Sequence, residues 1–337
     1  MGEVSTVGLD IAKSIFQAHG ADGAGGVVFR KKLGRGRLLA FFASLPPCLV
    51  AMEACAGAHH WGRELAALGH TVRLIPPAYV KPFVKRQKND EADAEAICEA
   101  AQRPTMRFVP VKSEAQQASG VVFRARDLLV RQRTQITNAI RGHLAEYGYV
   151  AAKGVCYVER LIDRIDDLPH QAQPALRGLV QAMRALDEQI VGLDREIALR
   201  AKEDEAARRL MTIPGIGPVT AAAMAALAPD PQAFRCGRDF AAWLGLTPLQ
   251  KSTGGKQKLG QITKMGERTL RRLLVIGASA VIKQALIRGA PPGSWLAQML
   301  ARKPRMLVAV ALANKTARIV WALLAKGGIY RVPVLAA

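Results

Sequence analysis

Val4-Ser-Thr-Val-Gly-Leu-Asp10-Ile-Ala-Lys13 reads as a buried strand that closes on a carboxylate. An apolar strand has no use for Asp10 as packing, because a buried charge is costly unless something pairs with it. The stretches that follow keep the same style. Ile15 to Gly20 and Val27 to Lys32 read as two further strands, with Gly23, Gly25 and Gly26 marking the turn between them. Leu38 to Leu45 has helical spacing, Leu49 to Ala54 is a short buried strand with Glu53 near its end, and Trp61 to Leu68 is helical again. Thr71 to Ile75 is a fifth strand. A last helix starts at Asn89 or Asp90, where Asn and Asp suit a cap, and runs through Ile97.

Three strands, then helix, strand, helix, strand, helix is the order of a ribonuclease-H-like α/β fold, assigned to residues 1–110. In that order Asp10 and Glu53 fall at strand ends, while Asp90 and Asp93 share one face of the last helix at its start. Four gathered carboxylates repel one another unless cations neutralise them, and hard oxygen donors suit Mg²⁺ or Mn²⁺. Such an ion lowers the pKa of a bound oxygen nucleophile and stabilises a reacting phosphorus. Taken singly, each acid has a plainer reading as a cap or a surface charge. Asp22, Glu91 and Glu95 lie nearby and are left outside the set.

The 337 residues carry 48 Lys and Arg against 27 Asp and Glu, a formal charge of +21. From residue 206 onward there are 20 Lys and Arg and only three acids, +17, which leaves +4 for residues 1–205. A field this positive favours phosphate backbones, so a nucleic acid is the expected partner and the C-terminal part its main grip. Half the residues are hydrophobic, which excludes a disordered tail. The five cysteines are odd in number and scattered, as reduced cytoplasmic thiols are. No signal peptide or membrane span is expected: the longest charge-free run, Leu210 to Pro229, is broken by Pro214, Gly215, Gly217 and Pro218.

Residues 111–205 are helical and charged. Leu179, Met183, Leu186, Ile190, Leu193 and Ile197 form a heptad seam, either one half of an intramolecular hairpin or a contact between two chains. Arg124, Arg131, Arg133 and Arg141 on the earlier long helix are candidate RNA contacts, or a merely solvated face. Residues 206–337 begin with Ile213-Pro-Gly-Ile-Gly-Pro-Val-Thr220, the spacing of a helix-hairpin-helix. Gly215 and Gly217 permit a tight turn whose N–H groups can meet a phosphate, and a structural turn between core helices fits the same residues.

Further on, Lys251-Ser-Thr-Gly-Gly-Lys256-Gln-Lys258 is a polar glycine-rich loop in an otherwise apolar region, followed by Lys264, Arg268, Arg271 and Arg272. Gly254 and Gly255 free backbone N–H groups that, with Lys256, suit a phosphate cradle. Ser252 would need a base to become a nucleophile, and by composition Thr253 is nearly as good a candidate.

Gly8-Leu-Asp10 with Ala12-Lys13, Met52-Glu53-Ala54-Cys55, Lys88-Asn89-Asp90 with Asp93, Ile213-Pro-Gly-Ile-Gly217 and Ser252-Thr-Gly-Gly-Lys256 with Ile262-Thr-Lys264, Gly266 and Leu270-Arg271 run through the whole chain. In these motifs and their order it resembles the DEDD transposases of the insertion-sequence one-ten family, the bridge-RNA-guided recombinases. The resemblance implies a Holliday-junction-resolvase-like catalytic domain over 1–110, a coiled coil over 111–205 and a transposase domain over 206–337. It implies Mg²⁺ or Mn²⁺ on Asp10, Glu53, Asp90 and Asp93, and a covalent phosphoserine link through Ser252. It implies a noncoding bridge RNA, donor and target double-stranded DNA, and a homo-oligomer, a dimer or a synaptic tetramer with sites composed from two subunits. A bacterial cytoplasmic enzyme, nucleoid-associated when bound to DNA, follows from the same resemblance. The alternative is a metal-dependent, junction-resolving endonuclease that uses activated water and needs the acids but not Ser252.

Overall fold

The computed structural model describes residues 3–85 and 89–331, so Lys88 of the expected motif lies outside the described residues. The chain forms two compact units, Met1–Gln117 and Ala118–Ala337. The boundary expected near 205 falls inside the second of them.

The first unit is a mixed α/β structure. Its elements are β1 (Thr6–Asp10), β2 (Ile15–Ala21), β3 (Val27–Gly34), α1 (Leu38–Ala43), β4 (Leu49–Glu53), α2 (Ala58–Ala67), β5 (Thr71–Ile75), α3 (Pro77–Val80) and α4 (Asp90–Ala101). The five strands form one sheet in the order β3-β2-β1-β4-β5. β1, β4 and β5 are parallel, and β2 runs antiparallel to β1 and β3. The β2–β3 turn is closed by the Asp22 carboxylate, which accepts the N–H groups of Ala24 and Gly26 at 2.9 and 2.8 Å.

Period-two alternation sends the two faces of each strand to different layers. Val7, Leu9, Val50 and Met52 pack with Leu38 and Phe42 of α1 and Trp61 and Leu65 of α2. Ala51 and Ile75 pack on the other side with Ala96, Ile97 and Ala100 of α4. Gly8 is where α4 presses closest: a Cβ there would lie 2.2 Å from the Ala94 carbonyl oxygen and 2.5 Å from the Cys98 nitrogen. The Cys98 thiol meets the Thr6 carbonyl at 3.8 Å. Going from Cys98 back to Ala94 therefore follows β1 from Thr6 to Gly8, so the start of α4 points toward the end of β1 at Asp10.

The second unit is helical apart from one small hairpin. It contains α5 (Glu114–Ala145, entered from the first unit), α6 (Glu159–Ile162), α7 (Gln173–Glu203), α8 (Glu205–Leu210), α9 (Pro218–Leu227) and α10 (Gly237–Trp243). β6 (Pro248–Gln250), β7 (Leu259–Ile262), α11 (Arg268–Arg288), α12 (Trp295–Arg302) and α13 (Arg305–Lys326) complete it. The heptad seam closes within the chain, because α5 and α7 pair antiparallel. Arg126 pairs with Asp194, Arg133 with Asp187 at 2.7 Å, and the Thr137 hydroxyl meets the Met183 sulfur at 3.5 Å. Ile140 and Leu144 then share a core with Leu176 and Val180.

A larger core joins Phe123, Ile197 and Ala201 to α8, α9, α10, α11 and α13. By length and composition α13 alone among the described helices could cross a bilayer, yet Ala313, Ala317 and Val320 lie in this core and Val308 and Ala309 pack with Ile282 of α11.

Candidate functional site

Two sets of residues meet the requirements of phosphate chemistry, one on each unit. On the first, β1 and β4 are adjacent and parallel with Leu9 beside Met52, so Asp10 and Glu53 end neighbouring strands one residue further on. Asp10 follows Gly8 by two residues and Glu53 follows Ala51 by two, so both belong to the face that α4 covers. α4 begins at that end with Asn89 as its cap, the side-chain oxygen accepting the Ala92 N–H at 2.7 Å, and carries Asp90 and Asp93 in its first turn. Asp10, Glu53 and Asp93 are half-buried and Asp90 is exposed. Among the described residues no three His, Cys, Asp or Glu side chains gather closely enough to hold an ion. What stands in place is a pair of strand-end carboxylates with two more at the start of the helix above. All are hard oxygen donors, the ligand chemistry of a divalent cation, and they are not drawn around one point in this arrangement.

Cys55 reports the field there. Its thiol is pushed above the ordinary cysteine range, first by burial and then by the negative charges of Glu53 and Asp10.

On the second unit the glycine-rich loop is a β-hairpin, which was not foreseen from the sequence although Gly-Gly between two short strands is a hairpin signal. Gly254 and Gly255 have φ of +53° and +75°, and the Lys256 N–H donates to the Thr253 carbonyl at 3.0 Å, the pattern of a type I′ turn. Ser252 lies two residues before that pair. Its Oγ accepts the Lys258 N–H at 3.0 Å and donates to Gln250 Oε1 at 3.3 Å. Neither partner is a base, and Gln250 had no signal in the sequence. Lys251, Lys256 and Lys258 are exposed beside it and form no ion pair among the described residues.

The base of the hairpin is clamped. Gly245 and Gly266 have φ of +69° and +70°; a Cβ on the first would lie 2.3 Å from the Met265 carbonyl and on the second 1.8 Å from that of Trp243. Lys264, with φ +56°, donates its N–H to the Gly245 carbonyl at 3.1 Å. Arg271 donates from one guanidinium nitrogen to the Leu244 carbonyl at 3.0 Å and the Met265 carbonyl at 2.6 Å. Burial lowers its pKa, with Glu267 opposing and Arg268 adding to the effect. Arg271 thus binds the chain's own backbone at this point, and Arg272 pairs with Asp127 of α5, whereas Arg268 is exposed.

The remaining expected contacts divide the same way. Gly215 has φ +85° and its missing Cβ space holds the Gly277 carbonyl of α11 at 2.7 Å, so this turn is packed into the helices. Gly217, the N-cap of α9, has open space around it. Arg124 is exposed, while Arg131 pairs with Asp127 at 3.3 Å. Arg133 pairs with Asp187, and Arg141 donates to the carbonyls of Ala151, Ala152 and Gly154.

An α/β unit with carboxylates at strand ends, continued into a strongly basic helical unit, fits a protein that works on nucleic-acid strands. Comparisons with known proteins agree. Residues 7–149 match the DEDD transposase family model of the IS110 type, and residues 207–289 match the model described as Transposase IS116/IS110/IS902 family. A Pseudomonas aeruginosa protein named "Probable family 20 transposase" is 49% identical over 334 residues, covering 97% of this chain and 99% of the relative. The transposase for insertion sequence element IS1328 of Yersinia enterocolitica is 42% identical, covering 98% and 99%. That for IS1111A of Coxiella burnetii is 38% identical, covering 98% and 92%. The chain belongs to the IS110/IS116 family of insertion-sequence transposases, enzymes that act on DNA.

Proposed function

We propose that this transposase is a bridge-RNA-guided recombinase that cuts and rejoins donor and target DNA through a covalent phosphoserine at Ser252. Asp10, Glu53, Asp90 and Asp93 would hold Mg²⁺ or Mn²⁺. The observation that carries the acidic half is the placement of Asp10 and Glu53 on adjacent parallel strands beneath the start of the helix bearing Asp90 and Asp93. The strand order β3-β2-β1-β4-β5 supports a ribonuclease-H-like reading of that unit. A helix-hairpin-helix over 213–220 and a three-part division at about 110 and 205 belong to the same reading, as does assembly as a dimer or a synaptic tetramer.

When bound, the dication would neutralise the acids and withdraw charge from the phosphate under attack. Ser252 Oγ would form a bond to phosphorus while one strand's P–O bond breaks, and the departing oxygen takes up a proton. The serine's own proton must pass to a base, and Gln250 is not one. Lys251, Lys256 and Lys258 would hold the phosphate against the hairpin tip. The covalent bond keeps the energy of the phosphodiester, so rejoining needs no nucleotide triphosphate.

Protein incubated with its RNA, Mg²⁺ and both DNAs is expected to give a protein–DNA adduct that survives a denaturing gel. Ser252→Ala and Asp10→Asn should each abolish it. An adduct with Ser252→Ala would move the nucleophile elsewhere, and cleavage without any adduct would favour activated water and a junction-resolving endonuclease. Sequencing the RNA that copurifies when the protein is expressed with its flanking DNA tests the guide. One abundant structured RNA from that flank supports it, and bulk cellular RNA alone would overturn it.

A further inference from the structure

β3 is one of the two edge strands of the five-stranded sheet, and the segment Arg30-Lys-Lys-Leu-Gly-Arg-Gly-Arg37 places five cations in eight residues along it and just past its end. Basic edge strands have a plain explanation, since charged side chains keep sheet edges from pairing with other chains. That accounts for Lys31 and Lys32, which lie in the ladder with β2. It does not account for Arg35 and Arg37, which follow the strand, nor for Lys13 in the β1–β2 turn.

Those three gather at one end of the sheet. The Arg35 backbone N–H donates to the Ser14 carbonyl at 2.9 Å, and its guanidinium donates to the Lys13 carbonyl at 3.3 Å. β1 ends at Asp10 and β4 at Glu53 at this same end. The register also sets Asp10 opposite Gln17 and Gln17 opposite Lys32, one cross-strand row on the face with α4. Asp10 and Lys32 are thus two strand spacings apart, roughly 10 Å.

The cations are held but not neutralised. Lys31 Nζ sits 4.9 Å from the Phe41 ring centre and the Arg35 guanidinium 4.9 Å from that of Trp61. Lys13, Lys31, Lys32, Arg35 and Arg37 are all exposed and none forms an ion pair among the described residues. Their neighbours in the same unit behave otherwise: Arg30 pairs with Glu95 at 3.3 Å, Lys85 with Glu99 at 3.0 Å and Arg103 with Glu99 at 3.0 Å. Aromatic rings fix the direction of two charges while leaving them available for a phosphate.

We propose that Lys13, Arg35 and Arg37, continued by Lys31 and Lys32, form a track for the phosphate backbone of double-stranded DNA that leads to the Asp10–Glu53 end of the sheet. Duplex DNA is the occupant because the enzyme acts on DNA and because the track ends at the carboxylates. The track rests on the proposed role of Asp10 and Glu53 and is independent of the nucleophile and of any guide RNA.

The test uses the full chain in chelator, so that binding is read without chemistry. Lys13, Arg35 and Arg37 are changed together to Gln, and for comparison Arg73, Lys81 and Arg107, also exposed and in the same unit, are changed together to Gln. Each phosphate contact contributes about 0.9 to the slope of log affinity against log salt, so the first variant should lose roughly 3 from its slope for a duplex. Between 50 and 200 mM salt its affinity should then fall roughly 40-fold less than that of the unmodified protein. The second variant should keep most of its slope. Equal losses in the two would overturn the proposal, as would a loss confined to an RNA duplex of the same length.

Arg35→Lys, which keeps the charge, should keep the slope. Gly36 has open space where a Cβ would be, so a photo-crosslinking residue there leaves the fold intact. It should crosslink to duplex DNA, and crosslinking to RNA alone would reject the track.

Discussion

Asp10 and Glu53 end neighbouring strands inside a five-stranded sheet, under a helix so close that Gly8 has no room for a methyl group. Ser252 stands near the tip of a two-stranded hairpin in which residues 251–259 are all exposed. The carboxylates inherit their positions from a packed core. The serine inherits its position from the base of the hairpin, where Gly245, Gly266 and Arg271 hold the chain crossing. One group is placed by what lies on top of it and the other by what anchors it from a distance. The first arrangement resists displacement, and the second lets a tip move as a body while its root stays fixed.

Gly8→Ala breaks the first arrangement most directly. Its methyl group would meet the Ala94 carbonyl at 2.2 Å, and overpacking of this kind costs about 3 kcal/mol. Gly254→Ala, where a Cβ meets nothing within 4 Å, carries only the strain of φ +53°, about 1 kcal/mol. Amide exchange read separately over residues 3–85 and 118–331 should show the larger loss of protection in the first unit for Gly8→Ala, and equal losses in the two variants would remove the contrast. Next in size, Arg271→Ala strips two carbonyls of a charged donor, a loss of about 2 kcal/mol felt at the hairpin root. Amide exchange over 248–262 should quicken together, with Arg271→Lys intermediate. If only 251–258 quickens, the root is held by the glycines alone.

Two smaller effects sharpen the picture of the sheet. His19, buried on β2 with Nδ1 lacking a hydrogen-bond partner, is held below its ordinary value of 6.5, chiefly by burial and also by Arg30 and Lys85, against Glu95 and Glu91. The unfolded chain then takes up a proton more readily than the folded one. Stability is full above pH 6.5 and declines as pH falls from there toward the folded value. The first unit's melting midpoint should drop between pH 7.5 and 5.5, and less so in His19→Gln. Least of all, Glu53→Gln removes a negative charge that raises the Cys55 thiol, so alkylation of Cys55 at fixed pH should become faster. An unchanged rate would mean that Glu53 does not act on that thiol.

Most of the first unit was legible because each element carries its own period. The strand from Leu49 ends at Glu53, and the helix that follows Asn89 starts where a cap residue and acids said it would. Within the second unit the heptad seam predicted a helix over Leu179–Ile197 but left open what it packs on; the Arg126–Asp194 and Arg133–Asp187 pairs answer that, and they depend on residues over 50 positions apart. The hairpin around Ser252 reads only as a loop in the sequence, because β6 has three residues and is exposed throughout, so no burial pattern marks it. Arg271 reads as a phosphate contact and Arg141 as an RNA contact or a solvated face, since a guanidinium bonded to its own backbone has the same sequence as one reaching outward. Gly277 also carries a hint, as Gly254-Gly255 does for the hairpin: a glycine in the middle of an otherwise good helix weakens the helix unless another backbone must come close.

The Gly215–Gly277 contact binds the history of two positions together. The Gly277 carbonyl occupies the space of a Cβ on Gly215 at 2.7 Å, and the Gly215 carbonyl that of a Cβ on Gly277 at 2.2 Å. Neither residue can acquire a side chain whatever stands at the other position, because the obstacle is a backbone carbonyl, and enlarging both only doubles the clash. No single step leads away from this pair and no second step repairs the first. Descendants of this chain that keep the turn against the helix must keep both glycines, however far the remainder of the second unit drifts.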